Sequence, residues 1–119
     1  MPLSSNYLFI ASMDADPEHD AIFNDVYDKE HVPYLSRVPG VVSIARFQRQ
    51  DLTMIMGGEK KTIRIEGEPK YTAVYELQNP EVLVSEAWGE AVERGRWPMQ
   101  VRPFTTNRRH VLLKLMAPK

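Results

Sequence analysis

The chain has 119 residues, of which 43% are hydrophobic and 26% charged, with a formal net charge of −1 and no cysteine. That length suits one domain, and the near-zero charge offers no general attraction to nucleic-acid phosphates or anionic lipid. The lack of cysteine excludes disulfides, thiolate catalysis and thiolate metal ligation.

The apolar run from Tyr7 to Ala11 follows a start without a basic region and is too short for a signal core or a membrane span. The expectation is a cytoplasmic protein with no nucleic-acid and no membrane partner. Asn6 to Ser12 is rich in aromatic and branched residues and ends at the polar cluster Met13-Asp-Ala-Asp-Pro17, which predicts a strand. Both of its parities are apolar, so neither sheet face sits comfortably in water.

Asp16-Pro17 then reads as an N-cap with proline in the first turn, and the helix is expected to run to about Ser36. Ile22, Phe23, Val26, Tyr27, Tyr34 and Leu35 form its apolar stripe. Pro33 removes an intrahelical hydrogen bond and predicts a kink or an early end near Val32, and Val38-Pro39-Gly40 stops the helix. Val41 to Gln48 alternates in part and predicts a second strand. Leu52 to Met56, Gly57-Gly58 and Lys60 to Ile65 predict a hairpin or loop insertion over about residues 50–69, and Tyr71 to Leu77 predicts a further strand. Asn79-Pro80-Glu81 repeats the cap pattern, so a second helix is expected to about Arg94, burying Leu83, Val84, Ala87, Trp88, Ala91 and Val92. An irregular return through Trp97-Pro98 and Arg102-Pro103 leads to a last strand over Arg109 to Met116.

The order is β-α-β-β-α-β, a single α+β domain over residues 1–119 of ferredoxin-like type, with two helices on one face of an antiparallel sheet. The uncovered face is apolar in three strands, and an identical subunit is the simplest cover for it. A homodimer is therefore expected, two sheets closing an α+β barrel.

Val26-Tyr-Asp-Lys-Glu-His-Val-Pro33 together with Val38-Pro-Gly-Val-Val-Ser-Ile-Ala-Arg46 resembles a motif of the dimeric α+β barrel superfamily, nearest its EthD-like and related uncharacterised members. The resemblance covers most of the chain outside residues 50–69. It differs at Val26, where that branch usually carries tryptophan. It implies the barrel dimer. For activity it implies a wide range, from cofactor-free monooxygenases, muconolactone isomerases and polyketide cyclases to heme-handling enzymes and proteins without known activity.

His31 is the histidine with a chemical setting: Tyr27 lies four residues before it on the same helix side, beside the weak point at Pro33. An imidazole there could act as general acid or base with Tyr27 holding a substrate oxygen, and the alternative is a structural imidazole bonded to a carbonyl freed by Pro33. Tyr34, Arg46 and Trp88 are the candidate substrate-binding residues. Arg46 has a second reading, as the ion-pair partner of Glu76. Arg102, Arg108, Arg109 and His110 form a basic cluster that reads as solvated surface. No cofactor is expected, since a heme reading asks for an axial histidine and residues 79–94 contain none, and His19, His31 and His110 lack metal-ligand spacing. Two functions follow. One is a cofactor-independent cyclase, isomerase or monooxygenase acting on a small aromatic or polyketide-like metabolite. The other is a non-catalytic dimeric small-molecule-binding or structural module.

Overall fold

The computed structural model describes residues 3–118. Strands β1 (Tyr7–Ala15), β2 (Val41–Gln48), β5 (Tyr71–Leu77) and β6 (Thr105–Lys114) form one sheet in the order β2-β5-β1-β6, and every neighbouring pair is antiparallel. This is the α+β, ferredoxin-like arrangement that the alternation of elements predicts. Strands β3 (Leu52–Met56) and β4 (Glu59–Ile63) pair with each other as a separate two-stranded ribbon, turning at Gly57-Gly58, both of which have positive φ.

Register decides what each face carries. Phe9 lies between Tyr75 and Leu112, and Ala11 between Ala73 and His110, so these residues share the face that the helical segments cover. Phe23, Val26, Leu35, Leu77 and Val101 are fully buried in that layer. Truncating Phe23 to alanine would cost about 3–5 kcal/mol, the usual range for a buried aromatic ring.

The first helical segment is one rod with three pitches. A 3-10 turn, Pro17–His19, opens it with the Asp16 carboxylate accepting from the Glu18 amide, and α1 (Asp20–Val26) follows. Tyr27–His31 is then a π-helical turn, and α2 (Val32–Ser36) completes the rod. The Val32 amide donates to the Tyr27 carbonyl five residues back. Pro33 explains the wide turn: it has no N–H for the Lys29 carbonyl, and its ring would strike that carbonyl at ordinary α pitch. The expected disturbance is a local widening, and the rod continues beyond it. Gly40, at φ 93, ends the connection to β2; a Cβ there would run into Val82 Cγ2, so both the backbone angle and the close approach demand glycine.

The second helical segment departs from expectation. Asn79 makes no side-chain cap; Pro80–Val84 is a 3-10 turn, and Ser85 in extended backbone accepts from the Trp88 amide to start α3 (Glu86–Ala91). The break at Ser85 rephases the stripe. Val82 is buried, whereas Val84, expected inside, is 84% exposed. The return is also more regular than expected, with a second π-helical turn over Trp97–Val101 and a 3-10 turn over Arg102–Phe104. His19 packs its ring on Phe104, with centroids 3.6 Å apart.

The predicted pairing of Arg46 with Glu76 is not made, because the two residues point to opposite faces. Arg46 lies opposite Ala73 on the helix-covered face, and Glu76 pairs with Ser43 on the open one, where a bulge between Val41 and Ser43 shifts the register. The Glu76 carboxylate accepts from the Ser43 hydroxyl at 2.6 Å and the Ser4 amide at 2.8 Å, which hold its pKa below the ordinary value. On the same open face Phe47, Val111 and Leu113 remain exposed, Phe47 by 56%. No helix among the described residues is long and apolar enough to cross a membrane.

Candidate functional site

Between the helical layer and strands β1, β5 and β6 lies a cavity of about 420 Å³, with Tyr27, His31, Tyr75, Trp88 and Trp97 among its walls. Part of its space comes from sequence. Ala11 lines it and lies opposite Ala73, so β1 and β5 present small side chains at a level where neighbouring positions carry Phe9 and Tyr75.

Adjacent residues of the π turn do opposite jobs. Glu30 faces outward and grips the return segment: its carboxylate accepts from the Arg96 amide at 2.9 Å and from Arg96 Nε at 2.6 Å, which lowers the Glu30 pKa. Arg96 also donates to Asp25 at 3.1 Å. This grip brings Trp97 against the inward-facing His31, with ring centroids 4.0 Å apart and planes within 15°. Tyr27 meets the same imidazole edge to face at 5.1 Å.

His31 is 5% exposed and its Nδ1 is buried without a hydrogen-bond partner. The structural alternative, an imidazole bonded to a carbonyl beside Pro33, is not what the structure contains. Burial, with smaller contributions from Arg102, Arg108 and Arg46, lowers its pKa to about 3 from 6.5, so the ring is neutral at ordinary pH. The Tyr27 and Tyr75 hydroxyls bond to each other at 2.9 Å. One of their two protons is spent on that bond and the other remains to be donated. Burial raises both phenol pKa values, so the pair stays protonated.

Of the candidates read from sequence, Tyr27, His31 and Trp88 meet at this cavity. Tyr34 and Arg46 do not line it. Tyr34 faces a separate depression with Arg37, Ala87 and Arg94, because α2 leans on α3 there. Arg46 stands behind Tyr27, its guanidinium 4.4 Å from that ring centroid, and donates to Asp28 at 2.7 Å and Asn24 at 2.9 Å. The basic cluster also divides: Arg109 donates to Glu68 at 2.9 Å, while Arg102, Arg108 and His110 line the cavity instead of forming solvated surface only. Strand parity carried that signal, since Arg108 and His110 alternate with Arg109 and share a side with Leu112.

No protein-family model matches the sequence, and no curated protein sequence matches it. A solved structure does resemble the fold: the heme-degrader MhuD from Mycobacterium tuberculosis, with two hemes bound in its active site, aligns at a TM-score of 0.57 with 13% identity, over 95% of this chain and 98% of that one. The likeness is one of fold alone, the ferredoxin-like α+β arrangement, and it does not single out the EthD-like branch.

Proposed function

We propose that the protein is a cofactor-independent enzyme acting on a small aromatic or polyketide-like metabolite held in the cavity beside His31. One observation carries this reading: a neutral imidazole, buried yet without a partner for Nδ1, stands in the wall of an aromatic-lined space large enough for a small ligand. A buried polar atom left unpaired costs about 1–3 kcal/mol, and such a cost in the wall of a cavity marks the residue as a functional candidate. His31 would take the proton of a phenol or of a carbon acid in a cyclisation, isomerisation or oxygenation. The spare proton of the Tyr27–Tyr75 pair would be donated to the oxygen on which charge develops, and Trp88 would pack against the ring.

A second reading, a non-catalytic binding module of the same fold, is favoured by the depth of the pKa depression, since an imidazole at about 3 is a weak base. Both tryptophans of the chain line the cavity, so their indole N–H resonances report any ligand that enters. Screening aromatic acids, phenols and polyketide fragments by these two signals, with heme as a further arm, should yield a ligand. Ala11→Leu should abolish the shifts without lowering the melting temperature, because it fills the space. With a turned-over ligand in hand, His31→Ala should lower the rate by about 10²–10⁴-fold. A ligand that binds and is never altered supports the module; failure of every compound to move either indole signal removes the cavity reading altogether.

The same proposal includes a homodimer formed through the open sheet face. Phe47, Val111 and Leu113 are apolar and uncovered there, and a second copy supplies a matching surface by symmetry.

A further inference from the structure

Among the described residues, the wall of the His31 cavity contains two guanidinium groups, from Arg102 and Arg108, and no carboxylate. The two arginines differ in what they already hold. Arg102 is committed to the fold: it donates to Glu93 at 2.8 and 3.1 Å and to the Val92 carbonyl at 3.0 Å. Arg46, Arg96 and Arg109 likewise meet Asp28, Glu30 and Glu68. Arg108 has no acid or carbonyl partner among the described residues.

Its position is built into the backbone. Arg108 lies two residues before His110 on β6 and shares its face. The residue before it, Asn107, takes φ 53 close to the register shift between β1 and β6. The Asn107 side chain donates to Asp14 at 3.1 Å and to the Gly67 carbonyl, which pins that irregularity. An unpaired guanidinium fork is thus presented at an aromatic-lined, partly polar cavity whose wall holds no carboxylate among the described residues.

We propose that the ligand is an organic anion, a ring bearing a carboxylate, with the carboxylate on Arg108 and the ring among Phe9, Tyr75 and Trp88. This deepens the reading of the cavity as a ligand site and rests on it. A guanidinium matches a carboxylate with two parallel hydrogen bonds, and such charge-assisted pairs are about twice as strong as neutral ones. The anion also bears on His31. The ionisable and charged groups around that ring are Tyr27 on the π turn, Arg46 on β2, Tyr75 on β5, Arg102 on the return turn, and Arg108 with His110 on β6; Asp28 and Glu93 pair with arginines behind them. Cations therefore dominate the field at the imidazole, and a bound carboxylate opposes it. The substrate's own charge makes His31 a stronger base once it is in place.

The test uses a matched pair of probes, 2-naphthoate and its neutral amide, titrated calorimetrically into the full chain while the two indole N–H signals locate binding. The acid should bind at least about tenfold more tightly than the amide, with the preference shrinking as salt rises. Arg108→Gln should remove the preference while leaving the amide's affinity unchanged, and Arg108→Lys, which keeps charge without the fork, should retain part of it. Arg108 is exposed, so both variants should melt with the parent. Equal binding of the two probes, or a preference that survives Arg108→Gln, overturns the anion proposal and leaves the cavity a ligand site. Binding of neither overturns the cavity reading and the anion proposal together.

Discussion

Replacing His31 with phenylalanine tests the electrostatics of the site before any ligand is known. The folded imidazole has its pKa lowered to about 3, against 6.5 for the unperturbed side chain, with burial the largest cause and the arginines next. Between those two values the unfolded chain binds a proton at this residue and the folded chain does not. Stability therefore falls as pH drops through the unfolded value, and the loss levels off only near the folded one; above about pH 7 both states are neutral and the residue contributes nothing. At about pH 5 the linkage amounts to about 2 kcal/mol. His31→Phe keeps a ring to stack on Trp97, carries no titrating proton and leaves no unpaired Nδ1. Denaturant unfolding of the two proteins should show the variant at least as stable as the parent near pH 7, and a difference growing by about 2 kcal/mol in the variant's favour near pH 5. The other ionisable groups are common to both chains and cancel in the difference. Parallel stability curves over that range, or an imidazole resonance at position 31 titrating near its ordinary value, would refute the burial argument.

Gly40→Ala combines a positive φ with a collision against buried Val82 and should cost more than about 1 kcal/mol, read as a lower denaturation midpoint; an unchanged midpoint would mean that the β2 entry is not as tight as it looks. Replacing residues 53–64 by a short turn removes only the self-paired β3–β4 ribbon, so cooperative unfolding should persist within a few degrees of the parent melting temperature. Loss of the transition would make that ribbon part of the core or of an interface. Sedimentation should give twice the 13.7 kDa chain mass, and Phe47→Lys on the open sheet face should shift it toward the single chain; a parent that sediments as one chain at micromolar concentration refutes the dimer. Tyr27→Phe deletes the hydroxyl that meets Tyr75 and should cost about 0.5–1.5 kcal/mol at neutral pH, with no pH dependence of its own below the phenol range.

The sequence alone determined the order of strands and helices, because apolar alternation and proline-marked starts are local signals, and the ferredoxin-like sheet follows from that order. It also singled out Tyr27, His31 and Trp88, whose helical spacing puts them on inward faces. Tertiary structure decided the rest. Whether Arg46 meets Glu76 depended on the register of β2 against β5, which no local pattern marks, and the pairing fails because Arg46 falls opposite Ala73 and Glu76 opposite Ser43, on opposite faces. The 3-10 turn at Pro80 and the new start at Ser85 rephased the second helix, so Val84 moved outward and Val82 inward. Trp97 meets His31 across the Glu30–Arg96 clasp, a contact between residues 66 positions apart, and in packing on Phe23 and Tyr27. Arg108 reads as surface charge in the sequence, and it becomes a candidate anion-binding group only because the pairing of β1 with β6 carries it to the rim of a space that opens at Ala11. Periodicity reports which side of an element is apolar; only the packing of elements against one another determines what a polar group on that side will meet.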